Sequence, residues 1–269
     1  MWLGYRAMDQ VLLVERDGGV VWATLNRPEK KNALTLGLVG ALTALVAEVE
    51  QRPEDRVLVI TGAGGDFSSG ADLSDPGIVG REAGVAGWLG HMRHFHAAPL
   101  ALHRLAKPVV AAVPGVAVGA GCNLALACDL VLASTDARFS EIFVRRALTL
   151  DFGGSWLLPR LVGLHRAKEL AFLGDMVDAA RAEAIGLVNR VVAPEALETE
   201  ARELAARLAA GPPIALAAMK QAMHQGLSLA MAESLEVEAF GQTVCLSSAD
   251  AAEALRAFLE RREPRFEGC

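Results

Sequence analysis

Two short runs most constrain what this chain can fold into: Val57-Leu58-Val59-Ile60-Thr61 and Val109-Val110-Ala111-Ala112-Val113, neither of which carries a charged residue. A strand that is apolar on both faces needs cover on both, so each reads as a buried strand of a layered or spiral α/β core. The stretches around them supply the cover. Residues 36–49 repeat apolar side chains at helical spacing and stop near Arg52-Pro53, 85–105 reads as a helix, an alanine-rich helix follows Gly121, and 130–133 returns as a strand. The chain opens on two β-rich runs, 11–15 and 20–26, joined by Asp17-Gly18-Gly19, whose glycines tolerate the positive φ of a hairpin turn. From about Pro194 onward strands vanish, and 195–210, 213–225, 229–246 and 250–261 all look helical. The expected division is a core over 1–193 and a helical module over 194–269. No low-complexity tract or exposed linker separates them, so they should pack together.

With 52% apolar residues, 269 residues suffice for a large core. A net charge of -6 argues against a partner recognised by its phosphate backbone, because nucleic-acid binding needs clustered positive charge. Residues 1–10 contain Arg6 and Asp9 and no continuous apolar stretch, so no signal peptide or membrane anchor is read there and a cytoplasmic location is expected. Cys122, Cys128, Cys245 and Cys269 form no CxxC pair, and we read them as reduced thiols.

Three segments combine small residues with a junction between elements. The first runs from the 57–61 strand through Gly62-Ala63-Gly64-Gly65 to Ser69-Gly70-Ala71-Asp72, where a helix start is expected; the second is Val113-Pro114-Gly115 through Gly119-Ala120-Gly121-Cys122-Asn123. Glycines let another molecule approach the backbone, and a helix start offers N–H groups with no internal partner. Two such sources facing one cavity would form an oxyanion hole, although either alone could equally bind a nucleotide or permit close packing. The third segment places Asp151 before Gly153-Gly154 among Leu148, Leu150, Phe152 and Trp156. A carboxyl in such surroundings ionises less readily than in water and suits acid–base work near neutral pH; the plain alternative is an N-cap for the following helix. His91, His94, His96 and His103 form a further cluster, read as solvated or pocket-lining and not as metal ligands, and Asp129 is read as a structural cap or pair. Arg256, Arg261, Arg262 and Arg265 make the tail basic, either as a solvated helix end or as a phosphate contact.

Thr24-Leu25-Asn26-Arg27-Pro28, Asn32-Ala33-Leu34, the 67–73 segment, Gly119-Ala120-Gly121-Cys122, Gly153-Gly154 and Arg262-Glu263-Pro264-Arg265-Phe266 occur in the order and spacing of one family. Across nearly its whole length the chain resembles the crotonase (enoyl-CoA hydratase/isomerase) superfamily. The resemblance implies a ClpP/crotonase-like spiral of ββα units with a C-terminal helical trimerisation module, assembled as a homotrimer or a dimer of trimers. It also implies an acyl-CoA substrate, with CoA part of the substrate and no further cofactor. The thioester oxygen would lie between the N–H groups of Ala71 and Ala120, and CoA along Arg27, Ala33, Ala71, Asp72 and Leu73. The two glutamates of family hydratases fall, without gaps, on Asn123 and Phe143, which cannot transfer protons. Asp151 falls where isomerase branches, including the ring-epoxide isomerase of phenylacetate degradation, carry a catalytic aspartate, though Leu150 and Ala147 replace that branch's usual proline and glycine. The expected reaction is therefore isomerisation of a double bond or ring with Asp151 as acid/base. The alternatives are a hydratase or hydrolase using Glu141, which would need a shifted helix, or a water held by Asn123, and a non-catalytic acyl-CoA-binding subunit.

Overall fold

The computed structural model describes residues 11–79 and 84–269. The reading of residues 1–10 lies outside that range. In chain order the elements are β1 (Leu12–Asp17), β2 (Val20–Leu25), α1 (Leu36–Gln51), β3 (Val57–Gly62), α2 (Pro76–Val79), α3 (Gly84–Phe95), α4 (Ala97–Arg104), β4 (Val109–Val113), β5 (Val116–Val118), α5 (Ala120–Leu126), β6 (Leu130–Ser134), β7 (Arg138–Ser140), α6 (Gly154–Val162), α7 (Leu164–Leu173), β8 (Val177–Asp178), α8 (Ala179–Ala184), β9 (Arg190–Val192), α9 (Leu197–Ala209), α10 (Pro213–Gly226), α11 (Met231–Leu246) and α12 (Ala249–Glu260). The described strands form a six-stranded sheet ordered β1-β2-β3-β4-β6-β9, antiparallel only at β1–β2, and a three-stranded sheet β5-β7-β8.

The two apolar runs become the central strands β3 and β4, and their alternate residues serve two different cores. Leu58, Ile60, Val109, Ala111 and Val113 face the larger core with α1, α4, α5 and α6; Val57, Val59, Val110 and Ala112 face Leu197, Ala201, Ala205 and Ala209 of α9. The period-two alternation of a strand thus explains why neither run carries a charged residue. It also fastens α9 across the sheet, so the core continues past residue 194 into the first helix of the C-terminal segment.

The opening hairpin turns at Gly18 and Gly19, both at positive φ, as expected. The single helix expected over 85–105 is instead two helices that break at His96, the residue from which α4 starts. Pro99, in the first turn of α4, lacks the N–H that a continuous helix would spend on its fourth-preceding residue. Strands β5, β7, β8 and β9, two to three residues each, escape the pattern because so short a run shows no alternation. Of the cysteines, Cys122 and Cys128 are buried and Cys269 is exposed, all as free thiols. Asp129 accepts from the Val109 N–H (2.8 Å) and pairs with Lys220 of α10 at 2.7 Å, the structural role expected of it.

Candidate active site

The two small-residue turns lie side by side because β5 draws them together. The N–H groups of Phe67 and Ser68 donate to the Val116 carbonyl at 3.0 and 2.9 Å, and Val118 N–H donates to the Ser68 carbonyl at 3.0 Å. Only glycine permits that approach. A Cβ on Gly70 (φ +94°) would stand 2.6 Å from the Val118 carbonyl oxygen and 3.5 Å from the Ala120 nitrogen, and one on Gly121 would meet Ser68 Oγ at 2.8 Å.

No helix begins at 69–72, contrary to the sequence expectation. Ala71 instead forms an isolated parallel bridge with Leu34. Leu34 N–H donates to the Gly70 carbonyl (2.7 Å) and Asp72 N–H to the Leu34 carbonyl (2.8 Å), so the bridge leaves Ala71's own N–H on the other edge. Ala120 is the first residue of α5, whose first internal bond runs from Asn123 N–H to the Gly119 carbonyl at 3.0 Å. Its N–H therefore has no partner within the helix. One amide comes from a bridge and the other from a helix start, and the two turns are neighbours.

Three of the residues expected along CoA meet one another. Arg27 donates to Asp72 Oδ2 at 2.8 Å and to the Ala33 carbonyl. Asp72 is held down to about 2, first by the Ser74 hydroxyl and then by Arg27, against a desolvation that opposes both. Leu73 is 53% exposed, on the open side of this cluster. Asn32, at φ +53° and fully buried, fastens it: its side chain accepts from Arg27 N–H (2.8 Å) and donates to the carbonyls of Ala63 (2.8 Å) and Asp66 (2.7 Å).

Asp151 does not cap α6. The cap position is Gly153, at φ +89°, with no side-chain bond. The Asp151 carboxyl is half-buried, its Oδ1 has no hydrogen-bond partner, and burial pushes it up to about 6. Its apolar surroundings differ from the sequence reading: Leu148 is 54% exposed, Phe152 packs edge-on against Phe95 (4.9 Å), and Trp156 meets His103 and Arg160. Gly153-Gly154 has a structural cause as well, since a Cβ on Gly154 would stand 2.8 Å from the Asn123 Cγ.

Sequence reasoning undervalued Glu141. It needs no shifted helix: at the end of β7 it is 2% exposed, and its Oε2 accepts from Asn123 Nδ2 at 3.3 Å. Asn123 Nδ2 also donates to the Asp151 carbonyl at 3.0 Å. Glu141 is pushed up to about 7, chiefly by burial and in part by the charge of Asp151, against hydrogen bonds from Cys122 and Asn123. Phe143 lies against Gly119, its ring 3.7 Å from where a Cβ there would be.

The histidines do not gather. His91 meets Trp88, His103 stacks on His224 of α10 at 4.0 Å, and His96 and His103 line an apolar cavity of about 430 Å³ with Pro99, Leu100 and Trp156. Among the described residues no three His, Cys, Asp or Glu side chains are grouped to hold a metal ion. In the tail, Arg262 is taken by Glu253 (2.6 and 3.0 Å) and Glu260, which favours the solvated helix end over a free phosphate contact for that residue.

Compared with known proteins, residues 15–269 match the family model described as enoyl-CoA hydratase/isomerase. The chain is 38% identical to the short-chain-enoyl-CoA hydratase of Clostridium acetobutylicum, over 94% of this chain and 95% of that protein. It is also 38% identical to the 1,2-epoxyphenylacetyl-CoA isomerase of Escherichia coli, over 97% and 100%. Among solved structures, the enoyl-CoA hydratase from Bacillus anthracis superposes with a TM-score of 0.91 at 32% identity, covering 97% of this chain and 100% of that one.

Proposed function

Because this chain belongs to the enoyl-CoA hydratase/isomerase family, whose members act on acyl-CoA thioesters, we propose that it isomerises a double bond or ring of its acyl-CoA substrate with Asp151 as the acid/base. The observation that carries this reading is Asp151 itself: a half-buried carboxyl with a free oxygen, no capping duty and an affinity for protons close to neutrality. In the double-bond case the Asp151 carboxylate takes a proton from a carbon conjugated with the thioester. The C–H electron pair becomes the carbon–carbon double bond of an enolate as the C=O π pair moves onto the thioester oxygen, where the N–H groups of Ala71 and Ala120 stabilise it. The pair then returns to bond that proton at a different carbon. Arg27, Ala33, Ala71, Asp72 and Leu73 would flank the CoA portion, a role supported by their clustering beside the first turn.

The test is Asp151→Asn assayed on 3-enoyl-CoA and ring-epoxide acyl-CoA panels, with a loss of about 100-fold or more expected. Unchanged turnover removes Asp151 from the mechanism. A second reading, water addition using Glu141 or an Asn123-held water, is favoured by the buried Glu141–Asn123 contact and by the hydratase named among the relatives. Solvent oxygen-18 appearing in the product would select it.

The proposal extends to assembly as a homotrimer or dimer of trimers. Met231, Phe240, Leu246, Phe258 and Leu259 of the consecutive helices α11 and α12 are all exposed, large apolar side chains that a subunit contact would cover. Light scattering that reports a monomer at micromolar concentration would overturn this. No helix among the described residues is long and apolar enough to cross a membrane.

A further inference from the structure

Glu141, Asn123 and Asp151 each keep one side-chain oxygen buried without a hydrogen-bond partner: Oε1, Oδ1 and Oδ1. Even with the Cys122 thiol, a weak donor, beside Glu141, three such acceptors are an unbalanced set, since buried polar atoms are ordinarily paired. The Asn123 amide cannot correct it, because its Nδ2 already serves Glu141 Oε2 and the Asp151 carbonyl. Within this trio only a carboxyl proton remains to be donated.

Glu141 is the side chain placed to carry it. The titratable groups that bear on its carboxyl are the Cys122 thiol of α5 and Asp151 of the following loop, neither of them cationic. Arg145, four residues on, is turned to the surface, where it pairs with Asp175, and none of the described ion pairs includes Glu141. An ionised carboxylate buried at 2% exposure beside a second acid and opposite no cation is costly, and the neutral form is not.

We propose that Glu141 is a positioning residue of this site and works in its protonated form, orienting the Asn123 amide, which in turn holds the loop that presents Asp151. The proposal rests on Asp151 being the base. It explains why a residue with no duty at a helix cap or on the surface should bury a carboxyl here. Burial holds both carboxyls above the ordinary carboxylate range, and the pair loses its two protons in separate steps: the less buried Asp151 ionises first, and its charge then holds the Glu141 proton more tightly. Between the two, the base is charged and its neighbour still holds its proton. At higher pH a second negative charge enters beside the developing enolate and the rate falls.

Glu141→Gln keeps a neutral, hydrogen-bonding side chain of the same length. We expect it to retain kcat within about threefold near pH 6.5 and to lose the alkaline fall of the parent profile while keeping the acid limb set by Asp151. Glu141→Ala, which frees the Asn123 amide, should lower kcat about tenfold or more with little change in KM. A Glu141→Gln enzyme as impaired as Glu141→Ala, or one with the parent's alkaline limb, overturns the proposal. An infrared readout is independent of turnover. A protonated-carboxyl C=O band in the parent near pH 6.5 that is missing from Glu141→Gln supports the neutral form, and its absence from the parent refutes it. Should Asp151→Asn prove fully active, the base assignment falls while the band still reports on Glu141.

Discussion

Gly70→Ala separates the two turns with a single methyl group. Gly70 sits at φ +94°, where a side chain costs about 1–3 kcal/mol, and the new Cβ would stand 2.6 Å from the Val118 carbonyl oxygen. A carbon and a carbonyl oxygen rest about 3.3 Å or more apart, so one strand must yield by about 0.7 Å. That displacement falls between the residue preceding Ala71 and the residue two before Ala120. If the amides of Ala71 and Ala120 share one thioester oxygen, moving them apart should cost about as much as deleting a donor, roughly 100-fold to 1000-fold in kcat. Gly65→Ala is the matched control: φ is +85° and nothing lies within 4 Å of its Cβ, so it carries the strain without the clash. Both variants should lose stability, by about 2–4 °C in Tm for each kcal/mol, but only Gly70→Ala should lose turnover and α-proton exchange in deuterated water. A Gly70→Ala enzyme that is folded and exchanges at the parent rate would falsify the oxyanion reading, whatever the fate of Asp151.

The buried Asp151 also makes a stability prediction. Its folded-state pKa of about 6 lies above the ordinary carboxylate value, so its contribution to stability is fully present below about pH 4 and is lost as pH rises through about 6. Asp151→Asn should therefore be more stable than the parent at pH 8, by roughly 3 kcal/mol at most, with the difference vanishing at pH 4 in urea titrations. Lys220→Met removes the donor that reaches Asp129 and the carbonyls of Leu102 and Lys107; it should cost about 3 kcal/mol in chemical denaturation, and adding Asp129→Asn should recover part of it. Asn32→Ala loses three buried side-chain hydrogen bonds at a positive-φ position and should cost about 3 kcal/mol or more, and Asn32→Asp, which sets a buried carboxylate oxygen against the carbonyls of Ala63 and Asp66, should cost at least as much in the same denaturation assay.

What was legible in the sequence follows from the range of the interactions involved. The runs at 57–61 and 109–113 declare their burial residue by residue, because each side chain reports on its own environment. The Gly18-Gly19 turn and the helix from residue 36 are equally local, the latter capped in the structure by the Thr35 hydroxyl, which accepts from Leu38 N–H at 3.1 Å. The helix expected at 69–72 was illegible for the opposite reason. Small residues fit a helix start and a β-bridge equally well, and the partner that decides between them, Leu34, lies 37 residues away. The alternative reading of Asp151 as a cap fails on a backbone detail, the positive φ of both Phe152 and Gly153, which starts α6 from Gly153 instead. Glu141 was discounted because a gapless alignment assigns it no role, whereas burial depends on how β7 sits against α5.

The two parts of this site differ in how freely substitution can change them. The donors proposed on Ala71 and Ala120 are main-chain groups beside glycines whose missing Cβ atoms let two turns touch; almost any side chain at 71 or 120 leaves an N–H in place. On the proposed function, proton transfer instead depends on a side chain, that of Asp151, and the neighbouring positions 123, 141 and 143 can each be replaced by one codon change. In this chain those positions hold an amide that orients, a buried carboxyl, a ring packed on Gly119 and a half-buried carboxyl with a free oxygen. A fold that fixes enolate stabilisation in its backbone can therefore exchange water addition for proton relocation without rebuilding its scaffold. It follows that restoring glutamates at 123 and 143 alone should not create a hydratase here. A glutamate at 123 has no N–H to give Glu141 or the Asp151 carbonyl, the two partners that the Asn123 amide now serves. Asn123→Glu/Phe143→Glu should add no water, and measurable hydration by that double variant would refute the dependence on the Asn123 amide.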